Sequence, residues 1–130
     1  MYSVDETNYG YRLFFADRIP ADEMQRWFED SKKILGNQKH EFFSVLIDMR
    51  NIRPLDVEAK AIMEKGQVFY RENGMQRSAV IMNSNIVALQ FVKIGKTTMI
   101  GQNERYIDAN QYPDWEQRAL RWLESGQEPF

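Results

Sequence analysis

Phe42-Phe43-Ser44-Val45-Leu46-Ile47 is almost continuously apolar, the pattern of a strand buried on both faces at the centre of a parallel sheet. Asp48 and Met49 close the run, and the acid falls near the strand's carboxyl end, where α/β sheets place their ligand-binding loops. Upstream, Tyr2-Ser3-Val4 and Tyr11-Arg12-Leu13-Phe14-Phe15 are aromatic-rich and partly alternating. The turn formers from Asp5 to Gly10 separate them, so the chain opens with a β-hairpin whose first strand lies at an edge. Pro20 then starts a helix with Asp22 and Glu23 in its first turn. Met24, Trp27, Phe28, Ser31, Ile34 and Leu35 recur at three and four residues, and Gly36-Asn37 ends the run.

Past the central strand, Arg53-Pro54 predicts a second helix that begins at Pro54 or just after. Its apolar positions are read as Val57, Ala61, Ile62, Lys65, Val68 and Phe69, and Asn73-Gly74 stops it. Gly66 inside it is expected where the helix packs closely on the sheet. Ser78–Met82 is a short apolar strand, and Asn83-Ser84-Asn85 are good caps for a helix over Ile86–Ile94 that is apolar around most of its circumference. Arg105–Asp108 reads as a last strand, and Pro113-Asp114 opens a final helix carrying Trp115, Ala119, Leu120, Trp122 and Leu123. The order predicts an α/β fold: an N-terminal hairpin, then βαβαβα, with a mostly parallel sheet of about five strands under about four helices. Residues 1–126 form one domain, and 127–130 read as a frayed tail.

Composition narrows the chemistry. The chain has 130 residues, 43% apolar and 28% charged, the balance of a folded globular domain. Its formal charge of -2 leaves no basic field to recruit nucleic acid or an anionic membrane. With no cysteine and the single histidine His40, thiolate chemistry and histidine-rich metal sites are excluded. No apolar run is long enough to span a membrane, and Met1–Glu6 does not read as a secretory signal, so a cytoplasmic location is expected.

The stretches Val45–Arg50, Ser78–Met82, Glu104–Asp108 and Trp115–Leu123 together resemble the STAS fold, and most closely the SpoIIAA-like, or STAS/SEC14 domain-containing, small bacterial proteins. That resemblance implies a binding or regulatory domain. Relatives acting as anti-sigma antagonists are regulated at a serine in the loop opening the second helix. Here the window Arg53–Glu58 holds no serine or threonine, so no phosphorylation switch is expected there, and Asp56 and Glu58 read as helix-dipole residues. SEC14-like relatives bind lipids under a helix, with which the apolar Ile86–Ile94 stretch is compatible.

Other motifs carry less. Gly95-Lys96-Thr97-Thr98 lacks the first glycine of a phosphate-binding loop, because Gln90 stands there. His40 reads as a loop histidine, and Asp48 as a brace for its loop through Arg50 or Arg53. The leading expectation is a non-catalytic domain with no cofactor. It binds a protein partner or a small apolar, lipid-like ligand through Asp48, Arg50, Arg53, Asp56, Val57 and Glu58, with Asn83, Ser84, Val87 and Phe91 beside them. The alternative is a small enzyme using Asp48 and Asp56 as a carboxylate pair. A third reading is a homodimer formed through the aromatic edge strand.

Overall fold

The sheet forms as the hydrophobic pattern dictates. In a computed structural model, which describes residues 1–38, 40–83 and 103–130, five strands lie in the order β1-β2-β3-β4-β5. They are β1 (Tyr2–Glu6), β2 (Gly10–Asp17), β3 (Phe43–Ile52), β4 (Met75–Met82) and β5 (Glu104–Asp108). The hairpin pairs β1 and β2 antiparallel, with Val4 opposite Leu13. The other pairings are parallel: Leu13 beside Ile47, Leu46 beside Ala79, and Ile81 beside Ile107. The central strand is therefore β3, and it starts one residue later than its apolar run suggests, because Phe42 is 60% exposed.

Helices α1 (Ala21–Gly36) and α2 (Val57–Glu72) connect the parallel strands, and α3 (Trp115–Ser125) follows β5. Three helices thus stand among the described residues against about four expected. The predicted Ile86–Ile94 helix and Gly95–Thr98 lie outside them.

Alternation along β3 divides the interior in two. Phe43, Val45, Ile47 and Met49 join a core with Leu13, Phe15, Trp27, Met63 and Tyr70 on the α1/α2 side. Leu46 joins Ala79, Ile81, Ile107, Ala119, Trp122 and Leu123 on the α3 side. Ser44, also on that side, is matched by donation from its hydroxyl to the Leu123 carbonyl at 2.9 Å. Trp27 sits edge-on to Phe15 at 5.3 Å and parallel to Tyr70 at 5.9 Å. Burying each such ring contributes roughly 1.5–3 kcal/mol. The Ser31 and Tyr70 hydroxyls share a hydrogen bond of 2.8 Å that ties α1 to α2.

Helix α2 departs from the sequence reading in three ways. It begins at Val57, three residues past Pro54, because the Asp56 side chain accepts the Ala59 N–H at 2.8 Å and fixes the start there. Its buried face is Ala59, Met63, Gly66, Gln67 and Tyr70; of the stripe read from the sequence, Val57, Ala61 and Lys65 face solvent, while Ile62 and Phe69 are partly buried at the margin of the core. Gly66 does pack closely, but on Trp27 of α1 rather than on the sheet: a Cβ there would stand 2.2 Å from the indole.

Gly126, in the left-handed region at φ 75°, ends α3 and reverses the chain. The tail has no regular structure, yet it does not hang free. Glu128 forms a two-pronged pair with Arg105 at 2.9 and 2.7 Å, and the Pro129 carbonyl accepts from Arg118 at 2.7 Å.

Candidate functional site

The carboxyl end of β3 carries the residues that the sequence singles out. Asp48 shares the face of Leu46, toward α3, and is 2% exposed. A carboxylate so placed needs compensation. Arg50 supplies it with a fork, Nε to Oδ1 at 3.0 Å and Nη2 to Oδ2 at 2.9 Å, and its backbone N–H reaches Oδ1 at 3.2 Å. Arg12 of β2 adds a second cation at 3.8 Å and reaches Glu116 of α3 at 3.7 Å. The Arg50 guanidinium lies over the Trp115 ring at 4.6 Å. Asp48 braces its loop as expected, through Arg50. The hydrogen bonds that Arg50 makes to Asp48, and after them the charge of Asp48, raise the pKa of Arg50.

Beyond β3 the chain alternates between anchors and exposed side chains. Ile52 and Leu55 are buried, whereas Arg53, Pro54, Asp56, Val57 and Glu58 face solvent. The Arg53 N–H donates to the Asp17 carbonyl at 3.1 Å, so the loops after β2 and β3 run side by side. Asp17 adopts φ 60°, in the left-handed region that few residues other than glycine enter. Val57, in the first turn of α2, is 87% exposed.

The predicted residues therefore separate. Asp48 and Arg50 form a closed ion pair on the α3 side. Asp56 caps α2, which packs on the other side, and its carboxylate is engaged by its own helix. Arg53, Val57 and Glu58 form an exposed edge. Asn83, just past β4, offers its carbonyl to the Asn110 amide at 3.1 Å. Ser84, Val87 and Phe91 lie outside the described residues. His40 is exposed in the loop before β3.

Three residues of the cluster around Asp48 escaped the sequence reading: Arg12, which pairs with it, Trp115 against Arg50, and Glu116 against Arg12. The one available signal was Arg12 as a lone charge among Tyr11, Leu13, Phe14 and Phe15. A second buried acid was also missed, at the amino end of β5 and so at the opposite edge of the sheet. Glu104 is 3% exposed, and the Tyr106 hydroxyl donates to its Oε2 at 2.9 Å. Burial pushes its pKa up to about 7, against hydrogen bonds from Tyr106 and Ser78 that favour the charged form. Tyr106 in turn is raised by burial and by the Glu104 charge.

Under α1 and α2 lies an apolar cavity of about 10 Å³, lined by Phe15, Trp27, Met63, Tyr70 and others. That is room for a single water. No helix among the described residues is long and apolar enough to cross a membrane.

No protein-family profile matches the chain, and no curated protein matches it in sequence. Among solved structures it is similar to the 2.25 Å crystal structure of an uncharacterized protein of the DUF3478 family with a SpoIIAA-like fold, from Shewanella loihica PV-4. The two superpose with a TM-score of 0.62 at 14% identity, over 95% of this chain and 92% of that one.

Proposed function

We propose that this SpoIIAA-like α/β domain is a non-catalytic binding module that engages a protein partner through the Arg53–Asp56 loop and the first turn of α2. Val57 carries the reading. A large apolar side chain, 87% exposed, projects from a helix start that Asp56 fixes and that the Arg53–Asp17 bond holds in place. An exposed apolar residue on rigid backbone, flanked by Arg53 and Glu58, is the makeup of an interface anchor with a charged rim. The loop needs little ordering on association, which spares the complex an entropic cost.

The small-ligand reading ranks second, because the apolar cavity among the described residues holds about one water and no acyl chain. The carboxylate-pair reading ranks third: Asp48 is neutralised by Arg50 and Arg12, and Asp56 by the first turn of α2.

A photo-crosslinking residue at Val57, with one at the exposed Lys65 of the same helix as control, tests the proposal. A protein captured at position 57 alone is purified and titrated against the unmodified chain and Val57→Asp. The expected result is an affinity about tenfold or more weaker for the variant. Equal affinity, or equal capture at both positions, removes the proposal. A lipid co-purifying in native mass spectrometry would select the second reading.

A further inference from the structure

At the edge of the sheet, away from the Val57 surface, β1 is paired on one side only among the described residues. Beside it runs a groove of about 450 Å³ between β1 and α1, lined by Tyr2, Ser3, Val4, Asp30, Lys33 and Ile34. An open row of backbone donors and acceptors beside a groove is a template for another strand. We propose that its occupant is a second copy of this chain, with β1 pairing antiparallel to β1 about a two-fold axis at Val4.

Charge selects the occupant, and charge together with the length of the strand selects the register. With the axis at Val4, all five residues of β1 pair: Val4 with itself, Ser3 with Asp5, and Tyr2 with Glu6 of the second copy. No acid then faces an acid. Moving the axis one residue onward sets Asp5 against Asp5, a like-charge pair that destabilises a sheet. Residues Tyr2, Val4 and Glu6 share the face of Phe15, Leu13 and Tyr11, which is the α1 side. The same two-fold axis lays the two α1 helices antiparallel above the joined strands.

Along α1, Asp30 and Lys33 border the groove with opposite signs. Reversing one helix against the other brings Asp30 to Lys33 of the second copy, twice. Within one copy, Lys33 has no ion pair among the described residues, and Asp30 takes only the Tyr2 hydroxyl. The pattern is thus self-complementary, as an isologous interface requires. The joined sheets leave the Val57 edge open, so the dimer does not depend on the partner reading.

Light scattering coupled to gel filtration on the full chain is the first test, with twice the 15.5 kDa chain mass expected. Lys33→Glu places four acids around the axis and should weaken the dimer about tenfold or more, while Asp30→Lys/Lys33→Glu should restore it. Lys33 is exposed, so circular dichroism should show each variant folded. Val4→Lys should give monomer. A chain that is monomeric at every concentration overturns the proposal. So does a dimer that Lys33→Glu leaves unchanged, or one that the charge swap fails to restore.

Discussion

Replacing Glu104 with glutamine separates what burial does to this acid from what its hydrogen bonds do. In the fold its pKa is held near 7 against an ordinary value of 4.5, chiefly because 3% exposure leaves the carboxylate without water. Below pH 4.5 the group is protonated in both folded and unfolded chains, and its contribution to stability is fully present. As pH rises from 4.5 the unfolded chain releases its proton first, and stability falls until the folded group ionises near 7. At 1.36 kcal/mol per pKa unit, the loss across that window is roughly 3 kcal/mol. Glutamine can still accept from the Tyr106 hydroxyl and carries no charge, so it should remove the slope. Urea unfolding followed by tryptophan fluorescence, at intervals from pH 4 to 9, reads both proteins. The difference between their curves cancels every other titrating group. Glu104→Gln is expected to match the parent at low pH and to exceed it above pH 7. Parallel curves would refute the argument, and a variant weaker at every pH would show that the carboxylate's hydrogen bonds outweigh its desolvation.

Gly66→Ala raises intrinsic helix propensity by about 1 kcal/mol, but the new methyl meets the Trp27 ring at 2.2 Å. A net destabilisation of about 1–3 kcal/mol is expected from overpacking, visible as a lower Tm; a higher Tm would show that the indole can retreat. Asp56→Ala removes the cap of α2 and should cost about 1 kcal/mol in urea, whereas Glu58→Gln should stay within about 0.5 kcal/mol. Asp48→Ala removes a buried acceptor from Arg50 and Arg12 and should cost about 2 kcal/mol, because the two guanidiniums, at 35% and 34% exposure, are only partly stranded. A loss below about 1 kcal/mol, measured by the same titration, would mean that both guanidiniums simply turn to water.

The sheet was legible because β3 and β4 each hold an unbroken apolar run, Val45-Leu46-Ile47 and Ala79-Val80-Ile81-Met82, and turn residues separate the two strands of the hairpin. Helix α2 was read in part on the wrong face, for a packing reason: Ile62 and Phe69 do border the core, whereas Val57, Ala61 and Lys65 face solvent. Its inward stripe includes Gly66 and Gln67, which no count of apolar residues selects, and Gly66 turns inward only because Trp27, some forty residues away in the chain, needs the space. Phe42 looked like core, yet the strand begins at Phe43, whose N–H bonds the Gly74 carbonyl at 3.0 Å. At the site, Asp48 and Arg50 are two residues apart, and their pairing follows from local spacing. Arg12 and Trp115 reach them through strand pairing and the placement of α3, which no local pattern encodes. Glu104 resembled an ordinary acid at a strand start. Its burial depends on Tyr106 and on the pairing of Ser78 with β5.

The sheet divides the interior into two layers, and each layer has its own chromophore. Trp27 lies wholly on the α1/α2 side, stacked on Tyr70, while Trp115 and Trp122 belong to the α3 side, where Arg50 and Arg105 sit over their rings at 4.6 and 4.1 Å. Phenylalanine at positions 115 and 122 would leave an emission spectrum that reports the first layer alone, and phenylalanine at 27 one that reports the second. The protein thus carries an intrinsic optical label on either side of its sheet, and the order in which the two sides loosen can be watched without attaching a dye.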